Sequence, residues 1–146
     1  MPKIVFDASS LVGALLKRGS APERALLIAR TRERLCLSRP VESEIREVFG
    51  RTKFKKYLTP GRVDRILDLL LAAALVVEPT VSVIDCRDPK DNKYLELALA
   101  AQAAIIVTSD ADLLSLDPWH GVRIITPAEY VRRYERGGDP PSDVEL

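Results

Sequence analysis

Two short apolar runs without polar alternation constrain the fold of this chain more than any other feature. KIVF covers residues 3–6, and AIIVTS covers residues 104–109. Strands of this kind are buried on both faces, which is typical of a parallel sheet covered by helices. Apolar residues at helical spacing lie between the two runs, as in VESEIREVFG at 41–50. The pattern predicts an α/β fold with three α-β-α layers around a central, mainly parallel sheet.

The remaining elements alternate in the same way. Further strands are predicted at LCLS (35–38), LVVEP (75–79) and VRIIT (122–126). Further helices are predicted at SSLVGALLKRG, APERALLIARTRER, VDRILDLLLAAA and DPKDNKYLELALAAQA, and a last one is predicted from Pro127. As helix caps we expect Ser9 or Ser10, then Ser38, then Asp88.

The length indicates one domain, because 146 residues suffice for one hydrophobic core and are too few for two. We expect this domain to cover residues 1–136. The last residues, 137–146, are polar, rich in proline and glycine, and without apolar periodicity, so a disordered tail is predicted there.

The charge balance and the cysteines exclude several classes. A formal net charge of +1 provides no global attraction to nucleic acid or membranes, so any such contact needs a local patch. Neither a membrane span nor a signal-peptide segment is visible in the sequence. Cys36 and Cys86 form no CxxC pair, which favours reduced cysteines in a cytoplasmic protein and no zinc site.

Acidic residues follow the two apolar runs. Asp7 comes directly after KIVF, and Asp110 follows AIIVTS, with Asp112 beyond it. Asp91 lies in the first turn of the helix that precedes AIIVTS. Because ligands of open α/β sheets bind outside the carboxyl ends of the strands, these side chains are candidates for one site.

A further acid is predicted in the helix after LCLS, but the spacing does not identify it. On a helical wheel Glu47 points away from the apolar stripe, whereas Glu42 and Glu44 flank the stripe about equally. The periodicity therefore excludes Glu47 and leaves the other two open.

Converging carboxylates would require a cation. Two of them about 5 Å apart repel by roughly 3 kcal/mol at an effective dielectric near 20. Mg²⁺ and Mn²⁺ prefer such oxygen ligands and can assist attack on a phosphoryl group. Each acid also has a purely structural interpretation: Asp7 as a helix cap, Asp91 as a favourable first-turn acid, and Asp110 with Asp112 as an Asx turn.

Four segments, in this order, resemble the PIN domain, and more narrowly the PIN-family toxin components of bacterial and archaeal toxin–antitoxin systems. The resemblance covers about residues 3–134, and it is carried by KIVFDASSL, SRPVESEIREVF, DPKDNKYLELALAAQAAIIVTSDADLL and GVRIITPAEYV. Its specific part is the DNKYLELA block followed by VTSDADLL.

The resemblance implies which residues form the site. It places the acidic quartet of the family on Asp7, Glu44, Asp91 and Asp110, and so favours Glu44 over Glu42. Asp112 matches an auxiliary acid, while Ser9, Thr108 and Ser109 match small polar positions beside the acids. The implied activity is cleavage of single-stranded RNA by a Mg²⁺- or Mn²⁺-dependent endoribonuclease. Three aspartates, Asp7, Asp91 and Asp110, would hold the metal, and Glu44 would help to position it or orient the attacking water.

Basic residues are concentrated in one segment, REVFGRTKFKKYLTPGR at 46–62. It contains six cations against the single acid Glu47, and Phe54 and Tyr57 lie among them. Cations with interleaved aromatic residues are typical of single-stranded RNA binding, although a solvated loop with core aromatics is the alternative. We expect RNA contacts at Arg51, Lys53, Lys55 and Lys56.

Partners are implied by the resemblance alone: a cognate antitoxin protein and a second copy of the chain in a homodimer. Part of the leucine-rich segment 65–77 is a candidate interface, with core burial as the alternative. Two other functions stay open, namely a non-catalytic RNA- or partner-binding module and a metal-dependent phosphatase or phospho-acceptor domain. The latter is disfavoured because DASS after the first strand lacks a second aspartate.

Overall fold

The strands form one parallel sheet. The computed structural model describes residues 1–51 and 58–137. Its strands are β1 (Lys3–Phe6), β2 (Arg34–Leu37), β3 (Leu75–Val76), β4 (Ile105–Val107) and β5 (Arg123–Ile125). They are ordered β3-β2-β1-β4-β5, and every pair of neighbours is parallel. The predicted α/β fold with a parallel sheet is confirmed.

Helices connect the strands. They are α1 (Ala8–Leu16), α2 (Ala21–Arg32), α3 (Arg39–Phe49), α4 (Pro60–Ala73), α5 (Asn92–Ala101), α6 (Ala111–Leu114) and α7 (Pro127–Gly137). A 3-10 turn, Pro89–Asp91, precedes α5. Among the described residues, no helix combines the length and the apolar character that crossing a membrane requires.

The core lies on both faces of the sheet, as the unalternated strands predict. All three residues Ile4, Val5 and Phe6 of β1 are fully buried, and so are Ile106 and Val107 of β4. The register pairs Phe6 with Val107, so these two central strands end at the same level. Whatever follows them in the chain is placed side by side at one edge.

Two predicted elements differ from the structure. Of the predicted caps for α1, Asp7 is confirmed and Ser9 and Ser10 are wrong, because the extended backbone of Asp7 lets its carboxylate accept a hydrogen bond from the Ser10 amide. Strand β3 ends at Val76 instead of Pro79. Val77 still donates to the Leu37 carbonyl at 2.8 Å, but Pro79 has no N–H with which to continue the pairing.

Other predicted boundaries agree or shift slightly. Ser38 caps α3, and its side chain accepts from the Val41 amide at 3.4 Å. Asp88 caps the 3-10 turn, so α5 itself begins three residues later than predicted. The disordered tail was predicted for residues 137–146, but Gly137 is the last residue of α7. Residues 138–146 lie outside the described residues, and so do Lys53, Lys55 and Lys56.

Candidate active site

Asp7 lies at the centre of the candidate site, directly after β1. Its amide donates to the Val107 carbonyl at 3.1 Å, which ties it to the end of β4. One carboxylate oxygen accepts from the Ser10 amide at 2.8 Å, and the other accepts from the Thr108 hydroxyl at 2.6 Å. Both oxygens are therefore oriented by the backbone of α1 and the end of β4.

Burial dominates the electrostatics of Asp7, which is only 7% exposed. Desolvation raises the pKa of this carboxyl group, the hydrogen bonds from Ser10 and Thr108 lower it, and the negative charge of Glu44 raises it further. The net pKa shift is upward, so the site disfavours the charged form that a metal ligand needs until a cation compensates it.

Asp110 follows β4 and caps the short helix α6. Its carboxylate accepts from the Leu113 amide at 3.1 Å, and its own amide donates to the Thr108 hydroxyl at 3.0 Å. Asp7 and Asp110 line one cavity of about 320 Å³ together with Ser9, Ser10, Pro22 and Ser109. The structure thus brings together the two acids that follow the central strands.

Asp91 lies in the turn before α5 and is 8% exposed. Its side chain makes no capping hydrogen bond to α5. Burial, followed by the negative charges of Asp110, Asp88 and Glu44, raises the pKa of Asp91 to about 6. This buried carboxylate faces other acids without a capping donor of its own, which is the environment that a bound cation would relieve.

Glu44 is distinguished from Glu42 by its partners. Its Oε1 accepts from Lys93 Nζ at 2.5 Å and from the Tyr94 hydroxyl at 3.0 Å. The negative charge of Glu44 raises the pKa values of Asp7 and of Asp91. Glu44 therefore faces the same acidic cluster as the aspartates, whereas Glu47 is exposed, as its helical position predicts.

Lys93 and Tyr94 were missed as site residues. Tyr94 is predicted from helical spacing as a core residue, and it is 1% exposed, but its hydroxyl also accepts from the Ala8 amide at 3.0 Å. That contact links Glu44 to the residue after Asp7. No local pattern reveals it, because 86 and 50 residues separate Tyr94 from Ala8 and Glu44.

The other residues predicted for the site that the structure describes are exposed or half-buried. Ser9 and Ser109 are exposed on the cavity wall. Asp112 is half-buried in the first turn of α6 and lies close enough to influence the Cys86 thiol, whose pKa is raised mainly by burial. Arg51 is exposed and pairs with Glu47 at 3.4 Å.

The donor chemistry fits a hard divalent cation, although the acids are not at ligand spacing. Within residues 1–51 and 58–137, no three Asp, Glu, His or Cys side chains form a ready metal-binding group. The available donors are nonetheless carboxylate oxygens from one sheet edge, with hydroxyls beside them, which is the ligand chemistry that Mg²⁺ and Mn²⁺ select. The site matches such an ion by chemistry and charge.

Comparison with known proteins identifies the class. A PIN domain family model matches residues 3–112. An uncharacterized protein of Methanocaldococcus jannaschii, MJ1680, is 30% identical, and the match covers 92% of each chain. The chain therefore belongs to the PIN domain family, whose members are generally nucleases that typically use divalent metals.

Solved structures share the fold. VapBC2 of Rickettsia felis, bound to a DNA fragment from its promoter, matches with a TM-score of 0.57 at 14% identity, over 84% of this chain and 96% of that one. PAE2754 of Pyrobaculum aerophilum matches with a TM-score of 0.59 at 19% identity, over 92% and 91%. At these identities the likeness concerns the fold.

Proposed function

We propose that this protein is a Mg²⁺- or Mn²⁺-dependent endoribonuclease that hydrolyses phosphodiester bonds of single-stranded RNA. One observation carries the proposal. Asp7 and Asp110 follow neighbouring strands and line one cavity, and burial, together with the negative charges of Asp110, Asp88 and Glu44, raises the pKa of Asp91 to about 6. Carboxylates that lie close together where the strands end repel one another, which destabilises the fold. The same arrangement suits metal-assisted catalysis.

The proposed roles follow from the contacts. Asp7, Asp91 and Asp110 would hold the ion, directly or through water, with Asp112 in support, while Thr108 fixes Asp7. A bound cation would stabilise the negative charge on the phosphoryl oxygens and lower the pKa of water. Glu44 would orient the attacking water. The water oxygen bonds to phosphorus as the bond from phosphorus to the leaving oxygen breaks, and the proton that the water loses is balanced by the one that the leaving oxygen gains. No covalent intermediate with the protein is formed.

Cleavage of a labelled single-stranded RNA tests the proposal. Wild-type protein should cut with Mn²⁺ and should not cut with EDTA. Asp7→Asn should reduce the rate by more than about 100-fold, the upper end of what loss of a residue that supports a metal ligand costs. Asp68→Asn is the matched control, because Asp68 is exposed on α4, and it should cut like wild type.

Three results would contradict the proposal that this site is a nuclease. An Asp7→Asn protein that cuts at the wild-type rate would remove this site from the reaction. RNA that is bound but never cut, with or without Mn²⁺, would leave a non-catalytic binding module. Release of phosphate from a phosphomonoester without RNA cleavage would indicate the phosphatase alternative.

We propose that the basic segment, Arg51 with Lys53, Lys55 and Lys56, contacts the RNA. Arg51 follows the carboxyl end of α3, the helix that carries Glu44. Reversal of the three lysines to glutamate should weaken RNA binding. It should also flatten the plot of log affinity against log salt by about 0.7 for each lost phosphate contact. Unchanged binding would remove this segment from the proposal.

We propose further that the chain is the toxin of a toxin–antitoxin pair. The support is the shared fold with the VapBC2 structure and the family membership. Expression in a bacterial host should arrest growth, the Asp7→Asn variant should not, and co-expression of a short neighbouring reading frame should restore growth. Growth arrest by both the wild-type protein and the Asp7→Asn variant would show that the toxicity does not depend on this site. The homodimer and the cytoplasmic location stay predictions.

A further inference from the structure

Lys93 and Glu44 form a largely buried ion pair at the edge of the candidate site. Their side chains are only 21% and 14% exposed, and Lys93 Nζ lies 2.5 Å from Glu44 Oε1. The same oxygen accepts the Tyr94 hydroxyl at 3.0 Å. One oxygen of Glu44 therefore accepts two hydrogen bonds, one of them from a cation, before any metal binds.

The ion pair of Lys93 with Glu44 lies beside the aspartates of the candidate site. The Tyr94 hydroxyl that donates to Glu44 also accepts from the amide of Ala8, the residue after Asp7, so Glu44 lies close to the first aspartate. Exposed ion pairs contribute little, but a pair removed from water interacts more strongly. The ammonium group of Lys93 therefore already occupies the Glu44 carboxylate, and a divalent ion would have to compete with it for that carboxylate.

We propose that Lys93 is a positioning residue that holds Glu44 out of the ligand set of the divalent cation, and so weakens the binding of that cation. This inference rests on the proposed function, because it presupposes that the aspartates bind Mg²⁺ or Mn²⁺. Lys93 keeps Glu44 free to orient water, with Tyr94 as the second anchor of the same oxygen. Without the ammonium group, Glu44 becomes a free anionic ligand that draws the cation towards itself.

The experiment is a titration with Mn²⁺ in the absence of RNA, in which free Mn²⁺ is measured by its electron paramagnetic resonance signal. Lys93→Met should bind Mn²⁺ roughly 10-fold more tightly than wild type, in the range by which residues next to metal ligands tune affinity. Lys93→Arg keeps a cation beside Glu44 and should stay within about two-fold of wild type. In parallel cleavage assays at saturating Mn²⁺, Lys93→Met should have a lower kcat despite its tighter metal binding.

A double-mutant cycle separates a specific effect from a general one. If Lys93 acts through Glu44, the gain from Lys93→Met should shrink to less than about two-fold in a Glu44→Gln background. Lys90→Met is the matched control, because Lys90 is exposed, lies beside Asp91 and pairs weakly with Asp88 at 4.0 Å. It should change Mn²⁺ affinity by less than about two-fold.

The outcomes distinguish this inference from the proposed function. Unchanged Mn²⁺ affinity in Lys93→Met, or an equal gain in the Glu44→Gln background or in Lys90→Met, would overturn the role of Lys93 and leave the nuclease standing. Failure of the wild-type protein to bind Mn²⁺ at all would overturn both. A merely structural ion pair would change the free energy of unfolding and leave the Mn²⁺ affinity unmoved.

Discussion

The hydroxyl of Thr108 donates to the Asp7 carboxylate at 2.6 Å and thereby joins the ends of the two central strands. Thr108 is fully buried, and its oxygen also accepts from the Asp110 amide at 3.0 Å. A single hydroxyl thus orients one candidate ligand through its side chain and the other through its backbone. Its loss should affect the stability of the fold and the geometry of the site together.

Thr108→Val should reduce the free energy of unfolding by about 1–3 kcal/mol. Valine has nearly the same shape, but it leaves the Asp110 amide without its acceptor and one carboxylate oxygen of Asp7 without its donor. Buried groups without partners are penalised. The pKa of Asp7 should rise further, because the Thr108 hydrogen bond lowers it. Urea unfolding at constant pH measures the stability change.

Thr108→Ser is the control for this substitution, because it keeps the hydroxyl and removes only a methyl group. It should recover most of the stability lost in Thr108→Val. If the valine variant is as stable as wild type, the hydrogen bond contributes nothing net to folding.

Tyr94→Phe should destabilise the fold and slow RNA cleavage. The hydroxyl of Tyr94 accepts from the Ala8 amide and donates to Glu44, both at 3.0 Å. Its removal leaves a buried amide without an acceptor, which should cost about 1–3 kcal/mol in the free energy of unfolding. Of its two contacts among the described residues, Glu44 then keeps the one with Lys93, so kcat should fall while the Mn²⁺ affinity changes little.

Equilibrium unfolding and single-turnover cleavage of the same Tyr94→Phe preparation check this. Tyr57 and Tyr130 are poor controls, since Tyr57 lies outside the described residues and Tyr130 bonds to Glu33. Tyr134→Phe suits better: Tyr134 contacts Arg32 rather than the site, so this variant should lose stability without losing activity.

The strand-end acids were predictable from the pattern of the sequence, whereas the fourth acid was selected by the family resemblance alone. Unalternated apolar runs place β1 and β4 inside a parallel sheet, and this topology brings Asp7 and Asp110 to one edge whatever the rest of the chain does. Glu44 and Glu42 flank the apolar stripe of α3 alike, so periodicity has no means to separate them. The separation comes from Lys93 and Tyr94, which contact Glu44 across 49 and 50 residues.

Local ambiguity also explains the misplaced cap. Asp7 and Ser9 are both good cap residues, and propensity does not decide between them. Pairing of β1 with β4 holds residue 7 in extended backbone, and this leaves the following serines inside α1. A tertiary contact therefore selects the cap.

Asp91→Asn should stabilise the metal-free protein at pH 7 by about 1–2 kcal/mol, after allowance for partial solvent screening. The pKa of Asp91 is raised from 3.8 to about 6 by burial and by neighbouring acids. Between these values the folded state holds a proton that the unfolded state has lost, so stability falls as the pH rises through this window. Asparagine has no such dependence.

Urea unfolding of the wild-type and Asp91→Asn proteins in EDTA, at pH 4 and at pH 7, measures the difference in their free energies of unfolding. The asparagine variant should gain at pH 7 and lose most of that gain at pH 4, where the native carboxyl group is protonated. A gain that is equal at the two values would assign the effect to packing rather than to charge.

Asp117→Ala should lower stability without lowering activity, and its pH dependence should have the opposite sign to that of Asp91. Asp117 accepts from Arg123 Nε at 2.9 Å and from the Ile124 amide at 2.7 Å, at the start of β5 and so at the edge away from the acids. These contacts lower the pKa of Asp117 below 3.8, so its charged form stabilises the fold above that value. The contribution is lost as the pH falls through the lowered pKa.

Loss of these contacts in Asp117→Ala should therefore cost about 1–2 kcal/mol at pH 7. The cost should shrink towards pH 3, where the wild-type carboxyl group begins to protonate. Urea unfolding at the two pH values measures it, and RNA cleavage at pH 7 should match wild type under conditions in which both proteins stay folded. A variant that is fully folded yet inactive would show that the two edges of the sheet are coupled, because Asp117 contacts the start of β5, whereas Asp7 and Asp110 follow the carboxyl ends of β1 and β4.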